Sequence, residues 1–155
     1  MEILQIGQWN LQYDTEATCH IYSRIPFGGA EECGCDMCRN FIMARDQIYP
    51  KEVHDTFEIL GIDMKKETEA SHVHRIEPGW HFYLGMFHFI GKVEHNKASN
   101  NQKKGPLKLV PVTKNFSWGF LSKSNLAHKE FAEHTLVQID FSVVVPWLLN
   151  GKEPA

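Results

Sequence analysis

Trp80-His81-Phe82-Tyr83-Leu84-Gly85-Met86-Phe87-His88-Phe89-Ile90 is apolar at odd and even positions alike. A run so rich in aromatic side chains reads as a strand, and its lack of alternation implies cover on both faces. It is therefore expected at the centre of a sheet. Ahead of it, Pro78-Gly79 favours a type II turn, which makes Ser71–Glu77 the partner strand of a hairpin. Beyond it, His95 to Gly105 carries Asn96, Asn100, Asn101, Lys103 and Lys104 and reads as a polar, disordered loop. Leu107–Thr113 and Asn115–Leu121 read as strands, followed by a short helix around Leu126–His134. Leu136–Leu148 closes the chain as a strand, with Val137, Ile139, Phe141, Val143 and Val145 on one face.

The first half gives a different pattern. Ile3–Tyr13 and Thr18–Phe27 read as strands, and Gly28-Gly29 opens a loop that carries the cysteines. From Cys38 the pattern turns helical, with Phe41, Arg45, Ile48 and Tyr49 near one face. Pro50 ends that helix and suits the first turn of another. Val53, Phe57 and Leu60 recur at helical spacing, and Gly61 stands where a left-handed cap belongs. Asp63 can cap one further short turn through about Glu69. No internal repeat is present. Residues 1–155 are thus expected to form a single α+β domain. Its architecture is a mainly antiparallel sheet or open barrel, with a helical insertion at about residues 38–69 packed on one side.

Composition narrows the function. The chain has 155 residues, 43% of them hydrophobic, a length that lets a domain bury roughly 68–70% of its unfolded surface. A net charge of -3 offers no domain-wide positive field, which argues against nucleic acid as a partner. No segment has the length and apolarity of a membrane span, and Met-Glu-Ile-Leu-Gln lacks the features of a signal peptide. The expectation is a cytoplasmic protein, in which close cysteines serve as metal ligands or redox thiols more often than as disulfides. A homodimer is also compatible, through an exposed edge strand or aromatic patch.

Cys33-Gly34-Cys35-Asp36-Met37-Cys38 holds three of the four cysteines in six residues. Cys35-x-x-Cys38 falls at the expected start of a helix, where free N–H groups stabilise thiolates. Two sulfurs at this spacing can share one tetrahedral zinc ion at about 2.3 Å each, and Cys33 can supply a third. The fourth ligand is expected from Cys19 or His20, on the strand before the loop, or from a histidine of the sheet. The arrangement is like half of a treble-clef site, whose second C-x-x-C is absent here. Structural zinc, a redox dithiol and unligated thiols all fit the spacing.

The run Cys-Gly-Cys-Asp-Met-Cys-Arg-Asn-Phe is followed by Ala44-Arg45-Asp46, Leu60-Gly61-Ile62-Asp63 and Gly85-Met86-Phe87-His88-Phe89-Ile90-Gly91. Together these resemble a family of uncharacterised small bacterial proteins with a C-x-C-x2-C-R-N-F motif. The resemblance covers most of the chain. It implies one compact bacterial domain and no particular activity.

A second constellation comes from pairing the hairpin strands. With a two-residue loop, Glu77 opposes Trp80, Ile76 opposes His81, His74 opposes Tyr83 and His72 opposes Gly85. His72, His74, His81 and Tyr83 then share a face, and His74 and His81 become diagonal neighbours. Three histidines around an open position suit a catalytic metal, with Tyr83 placed to contact a ligand. Histidines lining a wet sheet face fit the same pattern. Two kinds of function follow. One is a non-enzymatic, zinc-stabilised binding or assembly module. The other is an enzyme: a metal-dependent hydrolase or oxygenase on the hairpin, or a thiol redox protein using Cys35 and Cys38.

Overall fold

The computed structural model describes residues 1–95 and 109–155. The polar loop expected over His95 to Gly105 lies outside the described residues, apart from His95 itself. Seven strands form one antiparallel sheet: β1 (Glu2–Ile6), β2 (Trp9–Tyr13), β3 (Glu69–Glu77), β4 (Trp80–His95), β5 (Val110–Thr113), β6 (Phe116–Ser122) and β7 (Leu136–Pro146). The helices are α1 (Thr15–Arg24), α2 (Gly29–Cys33), α3 (Asp36–Ile48) and α4 (Lys51–Leu60). The fold is α+β. The helix expected around Leu126–His134 is a single 3-10 turn, Lys129–Phe131.

β4 is the central strand. It pairs with β7 along Trp80–Ile90 on one side, and on the other with β3 at its start and β2 at its end. Cover on both faces holds only for Phe87–Gly91; over Trp80–Met86 the odd positions are buried and the even ones are open. β7 alternates as expected, with Val137, Ile139, Phe141, Val143 and Val145 all buried. The sheet curls without closing. Trp9 on β2 and Phe120 on β6 have ring centroids 5.0 Å apart, although β4 and β7 lie between their strands. A flat sheet would separate them by about 14 Å. α4 fills the hollow, with Phe57 against Phe87 at 4.8 Å and Trp118 at 6.4 Å. The proline–glycine punctuation holds: Pro50 is the N-cap of α4, and Gly61 closes it at φ 83°.

Thr18–Phe27 is not a strand. Asp14 caps a helix there by accepting the Ala17 N–H at 3.0 Å, and Thr18, Ile21, Tyr22 and Ile25 turn one helical stripe inward. The helical region consequently starts well before residue 38. α1 has a structural task that elsewhere in the sheet falls to a paired strand. Between its pairings with β3 and β2, β4 leaves backbone groups of His88 and Ile90 without a strand neighbour on that side. Side chains of α1 take up three of them, and the Asp14 N–H ahead of α1 donates to the Ile90 carbonyl at 3.1 Å. The Tyr22 hydroxyl donates to the His88 carbonyl at 2.7 Å and accepts its N–H at 3.3 Å, while Thr18 Oγ1 accepts the Ile90 N–H at 3.0 Å. Tyr22→Phe strips both His88 groups of that partner, so chemical denaturation should show a loss of about 1–3 kcal/mol.

The hairpin register also differs from expectation. Glu77 opposes Trp80 as foreseen, but Arg75 opposes His81, His74 opposes Phe82 and His72 opposes Tyr83. Irregularities between Arg75 and Glu77 and between His72 and His74 place extra residues, Ile76 and Val73, in β3. Gly79 has φ 86°, as the third residue of a type II turn requires. That turn twists against the strands it joins, and bulges beside it restore the fit.

Candidate metal centre

α2 ends at Cys33, and Gly34 then reverses the chain with φ 71°. Cys35 becomes the N-cap of α3, its Sγ accepting the Cys38 N–H at 3.5 Å. Three sulfurs thereby meet: Cys33 Sγ and Cys35 Sγ are 3.2 Å apart, and all three lie within 4.8 Å of one another. A tetrahedral ion with metal–sulfur bonds near 2.3 Å needs its sulfurs about 3.8 Å apart. The donor set fits a soft metal. Cys33 is exposed, Cys35 half-buried and Cys38 buried. The Cys35 backbone N–H and the neighbouring sulfurs hold the Cys33 thiol below its ordinary range, whereas burial, then the two sulfurs, push Cys38 well above it. A cation among the three reverses that penalty by favouring every thiolate.

Gly34 is the hinge of this geometry. A side chain there meets no steric obstacle, so the left-handed backbone is its whole requirement. Gly34→Ala should cost about 1–2 kcal/mol in urea unfolding. It should also weaken metal binding in a chelator competition, because relaxing the backbone separates Cys33 from Cys35.

The approach of α2 is set by a buried ionic network. Arg45 on α3 grips both oxygens of Glu31 at 3.0 Å, and its Nη1 also reaches Glu67 and the Lys65 carbonyl at 3.0 Å. Glu67 in turn accepts the Ala30 N–H through Oε2 at 3.1 Å and the Gly29 N–H through its own carbonyl at 2.8 Å. The first turn of α2 is thus pinned to the segment entering β3, four residues before the first cysteine.

The other candidates are distributed unevenly. Cys19 and His20 sit exposed on α1 and stand outside the sulfur group. His74 stacks on Phe82 at 5.6 Å, on the face opposite His81, so the three-histidine arrangement does not form. The bulge at Val73 is the cause: it turns consecutive histidines to opposite faces. His72 and His81 do meet, Nε2 to Nδ1 at 2.8 Å. Tyr83 is buried and donates to the Met37 carbonyl at 2.6 Å, tying β4 to the start of α3. Burial pushes its phenol up to about 12.

An open cleft of about 380 Å³ is lined by Cys33, Cys35, Cys38 and His72 together. Behind it, His81 is 0% exposed and passes its Nε2 to Glu153 at 2.6 Å. Glu153 also accepts the Gly79 N–H at 2.7 Å. Burial opposes ionisation of Glu153, yet the Gly79 amide, His81 and Arg75 together hold its carboxyl below the ordinary range. Burial and the neighbouring rings of His81 and His74 hold His72 below the usual imidazole range. The segment carrying Glu153 is anchored by Asn40 on α3, which donates to the Pro146 carbonyl at 3.0 Å and accepts the Leu148 N–H at 2.6 Å. Glu153 and Asn40 carry no sequence signal, because both act across more than seventy positions.

Neither protein-family models, nor curated proteins, nor solved structures give a match to this chain. No helix among the described residues is long and apolar enough to cross a membrane.

Proposed function

We propose that the protein is a zinc-stabilised binding or assembly module without catalytic activity, its ion held by Cys33, Cys35 and Cys38. The convergence of three sulfurs within 4.8 Å carries this reading. Thiolate ligands select soft or borderline metals, and zinc adds no redox chemistry of its own. The ion clips the end of α2 to the start of α3, beside a core of aromatic and aliphatic side chains that packs without it. Open thiols of this kind suit a reducing compartment such as the cytoplasm. A binding role is supported by the exposed apolar side chains Val73, Ile76, Trp80 and Leu84 on the β3–β4 hairpin.

Metal analysis of protein purified without a histidine tag tests the proposal. About one zinc per chain is expected, falling to a trace in Cys35→Ser, whose hydroxyl is a poor zinc ligand at neutral pH. Chelation should speed amide exchange around Gly28–Arg39 and leave the sheet protected. Wild-type zinc content in Cys35→Ser would sink the site. Metal-free protein with reversible thiol oxidation would favour a redox role for Cys33 and Cys35, whose sulfurs lie 3.2 Å apart.

A further inference from the structure

We infer that His72 is the fourth ligand of the cysteine-held ion, through Nδ1, and that His81 and Glu153 position it. The inference rests on the reading that the three cysteines bind metal.

Hydrogen-bond chemistry determines which nitrogen is on offer. An ionised carboxylate can only accept, so His81 Nε2–H donates its hydrogen bond to Glu153. His81 in its neutral form then has Nδ1 as an acceptor. At 2.8 Å that acceptor receives the hydrogen bond of His72 Nε2–H. His72 is left with one lone pair, on Nδ1, and neutral imidazole nitrogen is a zinc ligand. A ligating histidine whose second nitrogen donates into a carboxylate-terminated chain is the arrangement that orients such rings and raises their basicity.

Placement supports the same assignment. His72 lines the cleft that the three cysteines line. The bulge at Val73 separates it from His74 and directs it to this face, as bulges beside functional sites do. His72 stands outside the 4.8 Å sulfur group, so ligation narrows the cleft between it and the cysteines with its bond to His81 kept. Cys19 and His20, exposed on α1, share neither cleft nor hydrogen-bond chain.

The test substitutes an NMR-active cadmium isotope for zinc in the full chain and correlates the metal with protons two or three bonds away. Couplings to the β-protons of Cys33, Cys35 and Cys38 and to the ring protons of His72 are expected. Couplings to the cysteines with none to His72 would overturn the inference while leaving the three-sulfur site intact. A lack of any cysteine coupling would instead remove the proposed function on which it rests. Glu153→Gln tests the positioning role. Zinc release to a chromogenic chelator should accelerate about 10–100-fold, with the cysteine couplings kept and the His72 couplings weakened. An unaltered release rate refutes that role.

Discussion

Arg45→Met is expected to lose about 3–5 kcal/mol of stability at neutral pH, the usual cost of stranding one partner of a buried ion pair. The guanidinium of Arg45 faces two carboxylates, and Glu67 is 0% exposed. Methionine fills much of the space of the arginine stem but leaves Glu67 with only the Ala30 amide against its charge. The pair is held in tension even in the native protein. Burial keeps Glu67 above the usual carboxylate range, despite Ala30 and Arg45, whereas Arg45 keeps the more exposed Glu31 below it against a smaller burial penalty. In the variant Glu67 should take up a proton more readily, so the deficit should shrink on acidification. Glu67→Gln added to Arg45→Met should recover part of the loss. Urea unfolding of the two variants measures this, and a deficit under about 1 kcal/mol for Arg45→Met would show that the network contributes little.

Acid should destabilise the protein through His88 independently of any metal. Its ring is buried, with Nδ1 2.9 Å from Thr68 Oγ1 and Nε2 3.1 Å from Gln138 Oε1. Gln138 is oriented by donating its amide to Asp140 at 2.6 Å, so His88 donates from Nε2 and accepts at Nδ1 from Thr68. Burial pushes the ring down to about 4 from 6.5, the Gln138 bond opposing and His128 adding to the shift. Above about pH 6.5 the ring is neutral in both folded and unfolded chains, and its contribution is complete. Between about 6.5 and 4 the unfolded chain binds a proton that the folded one refuses, and stability falls. That difference corresponds to about 3 kcal/mol. Unfolding free energies of wild type and His88→Asn at pH 7 and 4.5, with chelator throughout, isolate the effect. Equal pH dependence in the two proteins would falsify the assignment.

Legibility in the sequence followed the range of the interactions. α4 is readable because Pro50 and Gly61 impose their backbone geometry locally, and β7 because every second residue from Val137 to Val145 is apolar and buried. The cysteine cluster was readable because its six residues fold back within a single turn. α1 reads as a strand because Thr18, Ile21, Tyr22 and Ile25 are β-branched or aromatic. Their spacing of three, four and seven, after a capping Asp14, was the helical signal. The bulges of β3 left no such trace, since nothing about Val73 or Ile76 distinguishes a paired residue from an extra one. Hence the regular register puts His72, His74 and His81 on one face with His74 beside His81, whereas in the structure His72 takes that place and His74 turns away. Glu153 completes the chain of His72 and His81 from a segment seventy-two positions beyond His81.

The gap in β4 that α1 fills has a consequence for solubility. A central strand with one stretch of unmatched backbone is an open edge set inside the sheet, and this one runs from Phe87 to Ile90. Tyr22 and Thr18 act there as a two-atom substitute for a strand. Were α1 to lift away, His88 and Ile90 would offer their free groups in the most aromatic part of the chain, where an extended segment of another molecule could add itself. Changes that loosen α1 should therefore show themselves first as aggregation on warming, ahead of the loss of helix or sheet signal.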